Sequence, residues 1–349
     1  MPDKVNKTNR VNKIDRVNVK NRLPPLVFKI RKIAEKQGIL EKLYLVGGPV
    51  RDLIMGKDII DIDLCIEEDS EHFAKILASE LGGKLTLHRQ FFTAKVVINS
   101  TPPKRGDPAE GGTSQIDIAR TRKEEYPREA ALPLVKPGTI LDDLFRRDFT
   151  INAIAMRLLD FSIFDPYNGV QDIKLRTIRV LHERSFIDDP TRIFRGARFS
   201  ARFGFRFDKK TRELAKSCAH YVKILSDERL KNELMHIFHE ENGEKAFNIL
   251  QELGVLDELN LHPPKPGIFR SIKEILKSLE LKENFILFHL ALIDFENPLV
   301  LAPTREEKLV YRALNEFNEI KEKLKLAKKA SEVYQVLSSL PDEMVIFLG

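Results

Sequence analysis

Tryptophan is absent from the 349 residues, and cysteine is nearly so: only Cys65 and Cys218 occur, far apart in the chain. Two isolated thiols build neither a disulfide framework nor a cysteine-rich zinc site, and they fit a reducing cytoplasm, the expected location. No run of about 18 apolar residues is found, so no membrane-spanning helix is expected. The N-terminus lacks the apolar core of a secretory signal peptide, and none is expected. The rest is ordinary: 42% hydrophobic and 32% charged residues, in a chain long enough to bury a large core and form two or more domains.

Charge is unevenly spread. The formal net charge is +6, yet residues 1–22 alone hold seven Lys/Arg against two Asp, so the remainder is close to neutral. Val-Asn recurs in this segment at positions 5, 11 and 17. A polar, basic, repetitive stretch is expected to be disordered. It reads either as a nonspecific RNA-binding arm or as an extension with no role. On the folded body any nucleic-acid surface has to be a local patch. Residues 176–212, with eleven Lys/Arg against four Asp/Glu, form one candidate footprint for phosphates. A solvated basic helix face is the alternative.

The most informative stretch is Val46-Gly47-Gly48-Pro49-Val50-Arg51-Asp52 followed by Asp61-Ile62-Asp63. On a strand, residues i and i+2 project from one face. Ile60, Ile62 and Leu64 alternate with the aspartates, which predicts a strand over 59–66 with the carboxylates on one side. Two such carboxylates stand close enough to hold a pair of divalent cations, and magnesium takes one or two carboxylates plus substrate phosphates. The Gly47-Gly48 turn lets backbone N–H groups approach a polyphosphate. Together these features point to nucleotidyl or phosphoryl transfer from a nucleoside triphosphate. Asp117, on a neighbouring predicted strand, is a candidate third carboxylate to accept the proton of an attacking hydroxyl.

Around this centre the pattern predicts a helix over 26–37, a strand over 44–47, a helix from Pro49 to Met55, a helix over 70–81, and strands over 84–88, 93–99 and 115–119. That order argues a small α/β head. Residues 101–114, rich in Gly and Pro, read as a surface loop. The chain is expected to be irregular from Ala119 to about Ile140, helical over 141–159, and extended over 163–166. From Asp189 onward every clear pattern is helical.

Two further stretches carry chemistry. In Asp142–Ala153, Arg146 and Arg147 beside Asp148, with Asn152 following, suit triphosphate and ribose, because guanidinium matches phosphate with a planar fork. A salt-bridged helix face explains the same residues equally well. In Asp188–Phe199, Pro190 opens a helix after an Asp cap. Arg195, Arg198 and Arg202 share one face, Arg192 borders it, and Ile193, Ala197 and Ala201 point to a core. Asp189 and Arg192, one turn apart, suit the Watson–Crick edge of C or A, since the carboxylate accepts from an amino group while the guanidinium donates beside it. Asp189 as a simple helix cap is the competing reading.

The motifs GGPVRD (47–52), DID (61–63), RRDFTINAIAM (146–156), DPYNGVQDI (165–173), DDPTRIFRGARF (188–199) and a weaker ERLKNEL (228–234) occur in one order. Over about residues 40–240 the chain resembles the class II tRNA nucleotidyltransferases, the CCA-adding enzymes and their bacterial poly(A) polymerase relatives. The resemblance implies an α+β protein: a polymerase-β-like nucleotidyltransferase α/β head followed by an all-α neck and body. It divides the chain into a basic extension (1–22), head (23–160), neck (161–240) and body (241–349), with a tail short or missing. It implies two Mg2+ ions at Asp61 and Asp63, and nucleotide contacts from Gly47, Gly48, Arg51, Arg146, Arg147, Asp148 and Asn152. Asp189 and Arg192 would select C and then A; Arg195 and Arg198 would hold the triphosphate; residues 165–169 would be a hinge. The pattern is departed from at Asp188, where the family has Glu, and at Asn168, where it has Gly. The implied partners are tRNA, CTP and ATP, with no membrane; no oligomeric state is implied. The activity implied is addition of CCA to the tRNA 3′ end, with CC-only or A-only addition and poly(A) synthesis as alternatives. From another class, a non-catalytic RNA-binding relative is opposed by the intact Asp61/Asp63 pair.

Overall fold

The computed structural model describes residues 20–99, 113–278, 280, 282, 285–293, 299–301, 303–327 and 329–348. Most of the basic N-terminal segment and nearly all of the 101–114 loop lie outside these residues. The chain divides into two compact units, residues 1–183 and 184–349.

The first unit contains strands β1 (Leu43–Val46), β2 (Ile62–Ile66), β3 (Lys84–His88), β4 (Thr93–Asn99), β5 (Thr113–Arg120), β6 (Arg122–Glu125), β7 (Leu134–Pro137), β8 (Ala155–Arg157) and β9 (Ile163–Phe164). Seven of them form a mixed sheet in the order β3-β4-β5-β2-β1-β8-β9, while β6 and β7 pair separately. Register explains the layering. Leu45 lies opposite Leu64, Leu64 opposite Ile118, and Ile118 opposite Ala94. All four are buried, so one face of the sheet is continuously apolar. The helix Ser70–Leu81 covers this face with Phe73, Ala74 and Leu77. Its start is fixed by Asp69, whose carboxylate accepts from the Glu71 and His72 amides, and its end by Gly82 at φ +64°. The helix Pro25–Lys36 packs behind it through its own apolar stripe of Val27, Ile30, Ile33 and Ala34.

Three local expectations change. The strand expected over 59–66 begins only at Ile62, and Ile60 is 88% exposed, so Asp61 stands at the strand's entrance rather than within it. The helix expected over 141–159 stops at Phe145; a single 3-10 turn follows at Thr150–Asn152, and Ala155–Arg157 is β8, antiparallel to β1. An apolar run of this length is not assigned by periodicity alone, and pairing with a sheet edge decides it. The stretch expected to be irregular before Ile140 contains the β6–β7 hairpin, whose charged first strand offers no apolar alternation to read. β9 lies beyond residue 160 in the chain yet is the edge strand of the same sheet.

Among the described residues the second unit is helical apart from a two-residue strand, Arg206–Phe207, and an isolated bridge between Leu261 and Ile293. The helix Thr191–Phe203 runs through its first part, ended by Gly204 at φ +68°. A phenylalanine cluster forms the core further on: the Phe238 ring stacks on Phe247 at 5.4 Å and on Phe288 at 5.1 Å, and meets Phe269 edge-on at 5.3 Å. Among the described residues no helix is long and apolar enough to cross a membrane.

Candidate active site

Opposite the apolar face, the sheet of the first unit carries a second buried cluster of Val46, Cys65 and Ala155 with Ile140 and Leu144, and polar side chains beside it. Asp63 on β2 lies in register with Asp117 on the parallel β5, and Asp117 with Lys95 on β4. Three strands thus set Lys95, Asp117 and Asp63 in one lateral row. Lys95 Nζ is 3.7 Å from Asp117 Oδ1, and Gln115 Nε2 donates to Asp117 Oδ2 at 2.6 Å. This row lines a cleft of about 280 Å³, together with Arg146 and Arg147. Asp61, just before β2, is exposed. Burial, then the negative charge of Asp117, push the Asp63 carboxyl up to about 6, with Asp61 adding to the rise; Arg147 and Arg51 act against it.

The glycine turn and the arginines form one piece. Gly47 sits at φ +72°, which favours glycine, and a Cβ there would lie 2.5 Å from Arg147 Nη1, so that guanidinium would have to shift. Gly48 begins the short helix Gly48–Ile54. On that helix Arg51 is only 5% exposed. Its guanidinium donates to Asn152 Oδ1 at 2.7 Å and to both carboxylate oxygens of Asp52. Asn152 in turn donates to Asp148 Oδ1 at 2.9 Å, which also accepts from the Phe149 amide. Asp148 and Asn152 are therefore buried supports for Arg51.

Arg146 and Arg147 share a fully buried anchor. Arg146 donates to Asp143 Oδ1 through Nε at 2.9 Å and Nη2 at 2.8 Å, and Arg147 Nη2 to Asp143 Oδ2 at 2.9 Å. Burial alone would raise the Asp143 carboxyl, but the two arginines outweigh it and hold it at about 2. Glu124, from the β6–β7 hairpin, takes a further bond from Arg146 at 3.1 Å. The guanidiniums are thus oriented before any ligand arrives, the condition under which fixed charges assist transfer of a phosphoryl group most.

The donor set fits a magnesium ion of a particular kind. Among the described residues no three His, Cys, Asp or Glu side chains close around one point, so no all-protein cage exists. Asp63 and Asp117 side by side, with Asp61 at the entrance, form an open set instead. That suits magnesium, which keeps much of its shell for water and substrate phosphates. Burial first, and then the charges of Asp117 and Asp61, raise the Asp63 carboxyl, and a bound cation would offset both.

In the second unit, the helix Thr191–Phe203 buries Ile193, Ala197 and Ala201, as its periodicity requires. Arg195 and Arg198 lie over the Phe199 ring at 5.4 and 5.6 Å. Asp189 and Arg192 take separate partners. Arg192 is only 3% exposed and donates to Ser185 Oγ at 2.7 Å. Asp189 Oδ1 accepts from the Thr191 amide at 3.1 Å, from Thr191 Oγ1 at 2.6 Å and from Arg229 Nη2 at 2.7 Å. Asp189 does cap the helix, then, while also pairing with a remote arginine.

Sequence reasoning passed over Asp143, Glu124, Lys95 and Arg229. Asp143 was legible, standing three and four residues before Arg146 and Arg147 on one helical face. Glu124, Lys95 and Arg229 come from other segments, and no local pattern announces them.

Residues 43–179 match the family described as the poly(A) polymerase head domain, and residues 204–264 match the probable RNA- and SrmB-binding site of polymerase A. The chain belongs to this nucleotidyltransferase family. An A-adding tRNA nucleotidyltransferase of Halalkalibacterium halodurans is 38% identical over 239 residues, 66% of this chain and 53% of the relative. A CC-adding tRNA nucleotidyltransferase of Deinococcus radiodurans is 34% identical over 176 residues, 50% of this chain and 44% of the relative. The chain spans about half the length of these curated members of the family. A solved structure of the Thermotoga maritima CCA-adding enzyme complexed with tRNA-CCA is similar with a TM-score of 0.69 at 28% identity, covering 95% of this chain and 80% of that one. The likeness covers both units and agrees with the α+β reading, a polymerase-β-like head followed by helices.

Proposed function

We propose that the protein adds nucleotides to the 3′ end of tRNA from ATP or CTP, releasing pyrophosphate. The observation that carries this reading is that the row of Asp63 and Asp117 lines one cleft together with Arg146 and Arg147. Carboxylates and guanidiniums lining one cleft suit a cation and a polyphosphate. Of the specificities carried by its relatives, A-addition is favoured by the 38% identical relative of that name.

Asp61 and Asp63 hold magnesium in this scheme, and the metal supplies charge stabilisation to the reacting phosphate and its leaving group. The remaining work belongs to the chain. Asp117 accepts the proton of the tRNA 3′-hydroxyl. The freed oxygen attacks the α-phosphorus, and the bond from that phosphorus to the oxygen bridging to the β-phosphate breaks, so pyrophosphate leaves with the electron pair. Arg146 and Arg147, oriented by Asp143, receive the charge that builds on the phosphates. Arg51, held by Asn152 and Asp52, keeps the glycine turn in shape. In the second unit Asp189 reads the base, Arg192, buried and bound to Ser185 Oγ, supports it from behind, and Arg195 and Arg198 offer positive charge to phosphate.

Product lengths test the proposal. The protein is incubated with magnesium and with tRNA ending before CCA, after C or after CC, and with ATP, CTP or both. Growth by one residue on tRNA ending in CC with ATP alone marks an A-adding enzyme. Growth on the shorter tRNAs with CTP marks CC or CCA addition, and long tails from ATP mark a poly(A) polymerase. No growth on any acceptor overturns the reading.

A further inference from the structure

The segment Glu228–Leu234 has no part in the chemistry described above, yet its helix is wired to the nucleotide-reading face of the second unit. The helix Asp227–Phe238 is anchored by Ser226, which caps the Arg229 amide, and by Leu230, Leu234 and Ile237, all buried. From this fixed backbone Arg229 extends to Asp189 Oδ1 at 2.7 Å. One turn further, Glu233 lies in the field of Arg195 and Arg198. Asp189 Oδ1 is thereby saturated by three donors: the Thr191 amide, the Thr191 hydroxyl and Arg229. Among the described residues none donates to Asp189 Oδ2. The Asp189 side chain keeps 23% of its surface exposed.

We propose that Arg229 is a positioning residue for base choice: it pins one oxygen of Asp189 so that the other is presented to the exocyclic amino group of the incoming nucleotide. This rests on the reading that Asp189 meets the base. The physical argument concerns the second side-chain torsion of aspartate, which is broad and confers little orientation by itself. A carboxylate free to turn accepts from an amino group of C or A, but equally from the ring N–H of U or G approaching at another angle. One fixed at Oδ1 leaves Oδ2 alone to accept, and at a fixed place, which favours a donor standing where the amino group of C or A lies. Arg229 also neutralises Asp189 without consuming the oxygen that reads, which a pairing with Arg192 alone would not do.

The experiment compares kcat/KM for ATP, CTP, UTP and GTP on the appropriate tRNA in the wild type, Arg229→Gln, Arg229→Lys, Thr191→Val and Asp189→Ala, with folding checked by circular dichroism. Arg229→Gln removes the charged fork; preference for the natural nucleotide over UTP and GTP is expected to fall about 10-fold, within the range of one bidentate contact. KM for the natural nucleotide changes less, because Arg195 and Arg198 are untouched. Arg229→Lys restores part of the preference. Thr191→Val, which removes another donor to the same oxygen, relaxes the choice in the same direction and serves where Arg229→Gln does not fold. An unchanged preference in the folded variants, alongside a relaxed Asp189→Ala, overturns the role of Arg229 and leaves the base-reading role of Asp189 standing. An unchanged preference in Asp189→Ala as well removes the base-reading assignment, and this proposal with it.

Discussion

In metal-free buffer at about pH 7.5, Asp63→Asn should make the protein more stable, although it destroys a residue of the candidate centre. Burial and the charge of Asp117 push the Asp63 carboxyl up to about 6, above the ordinary aspartate value near 3.9. A group whose folded value is raised binds its proton more tightly when folded, so folding suffers once the proton is lost. No penalty is carried below about pH 4; it grows between about pH 4 and 6 and is complete above that. At roughly 1.4 kcal/mol per pH unit the ceiling is about 3 kcal/mol. Partial exposure of Asp63 and relaxation around it reduce this to roughly 1–2 kcal/mol, worth several degrees in melting temperature for a unit of this size. Asparagine has no charge to lose, and among the described residues none donates a hydrogen bond to Asp63 that the change would forfeit. Because the chain has no tryptophan, melting is followed by far-UV circular dichroism, in EDTA and in magnesium. The variant is expected to melt higher than wild type in EDTA near pH 7.5, with the gap gone near pH 4 and narrowed by magnesium, which relieves only the wild type. A variant melting at or below wild type in EDTA near neutral pH, or a gain that persists near pH 4, would refute the reasoning.

Three other outcomes are expected. Asp61→Ala and Asp63→Ala should each reduce nucleotide addition by about 10³-fold or more while leaving the circular dichroism spectrum unchanged; near-normal magnesium-dependent turnover in either would exclude these carboxylates. Gly47→Ala forces a side chain into φ +72° and against Arg147 Nη1, so it should cost about 1–3 kcal/mol of stability and lower kcat more than it raises KM; wild-type melting and turnover would show that the turn yields without consequence. Removing residues 1–19 should leave turnover on saturating tRNA unchanged at high salt, because a segment without aromatic residues acts through charge that salt screens; a large loss under those conditions would assign the segment a specific contact.

What the sequence determined by itself is whatever local chemistry dictates. The helix Ser70–Leu81 and strands β3 and β4 fall where periodicity, an Asp cap and a Gly stop place them, because amphipathic pattern and capping act within a few residues. The Gly47 turn, Asp63 and the paired arginines were legible for the same reason: each motif is contiguous. Tertiary structure decided what contiguous segments do to one another. It turned Ala155–Arg157 from an expected helix into β8, because β1 had an unpaired edge to offer an apolar run of ambiguous period. It set Asp117 and Lys95 beside Asp63 through strand register, which no separation in sequence encodes. It buried Arg192 against Ser185 and gave Asp189 to Arg229, forty residues away. A charged side chain taken from water must find a partner, and which partner lies within reach is settled only when the helices pack.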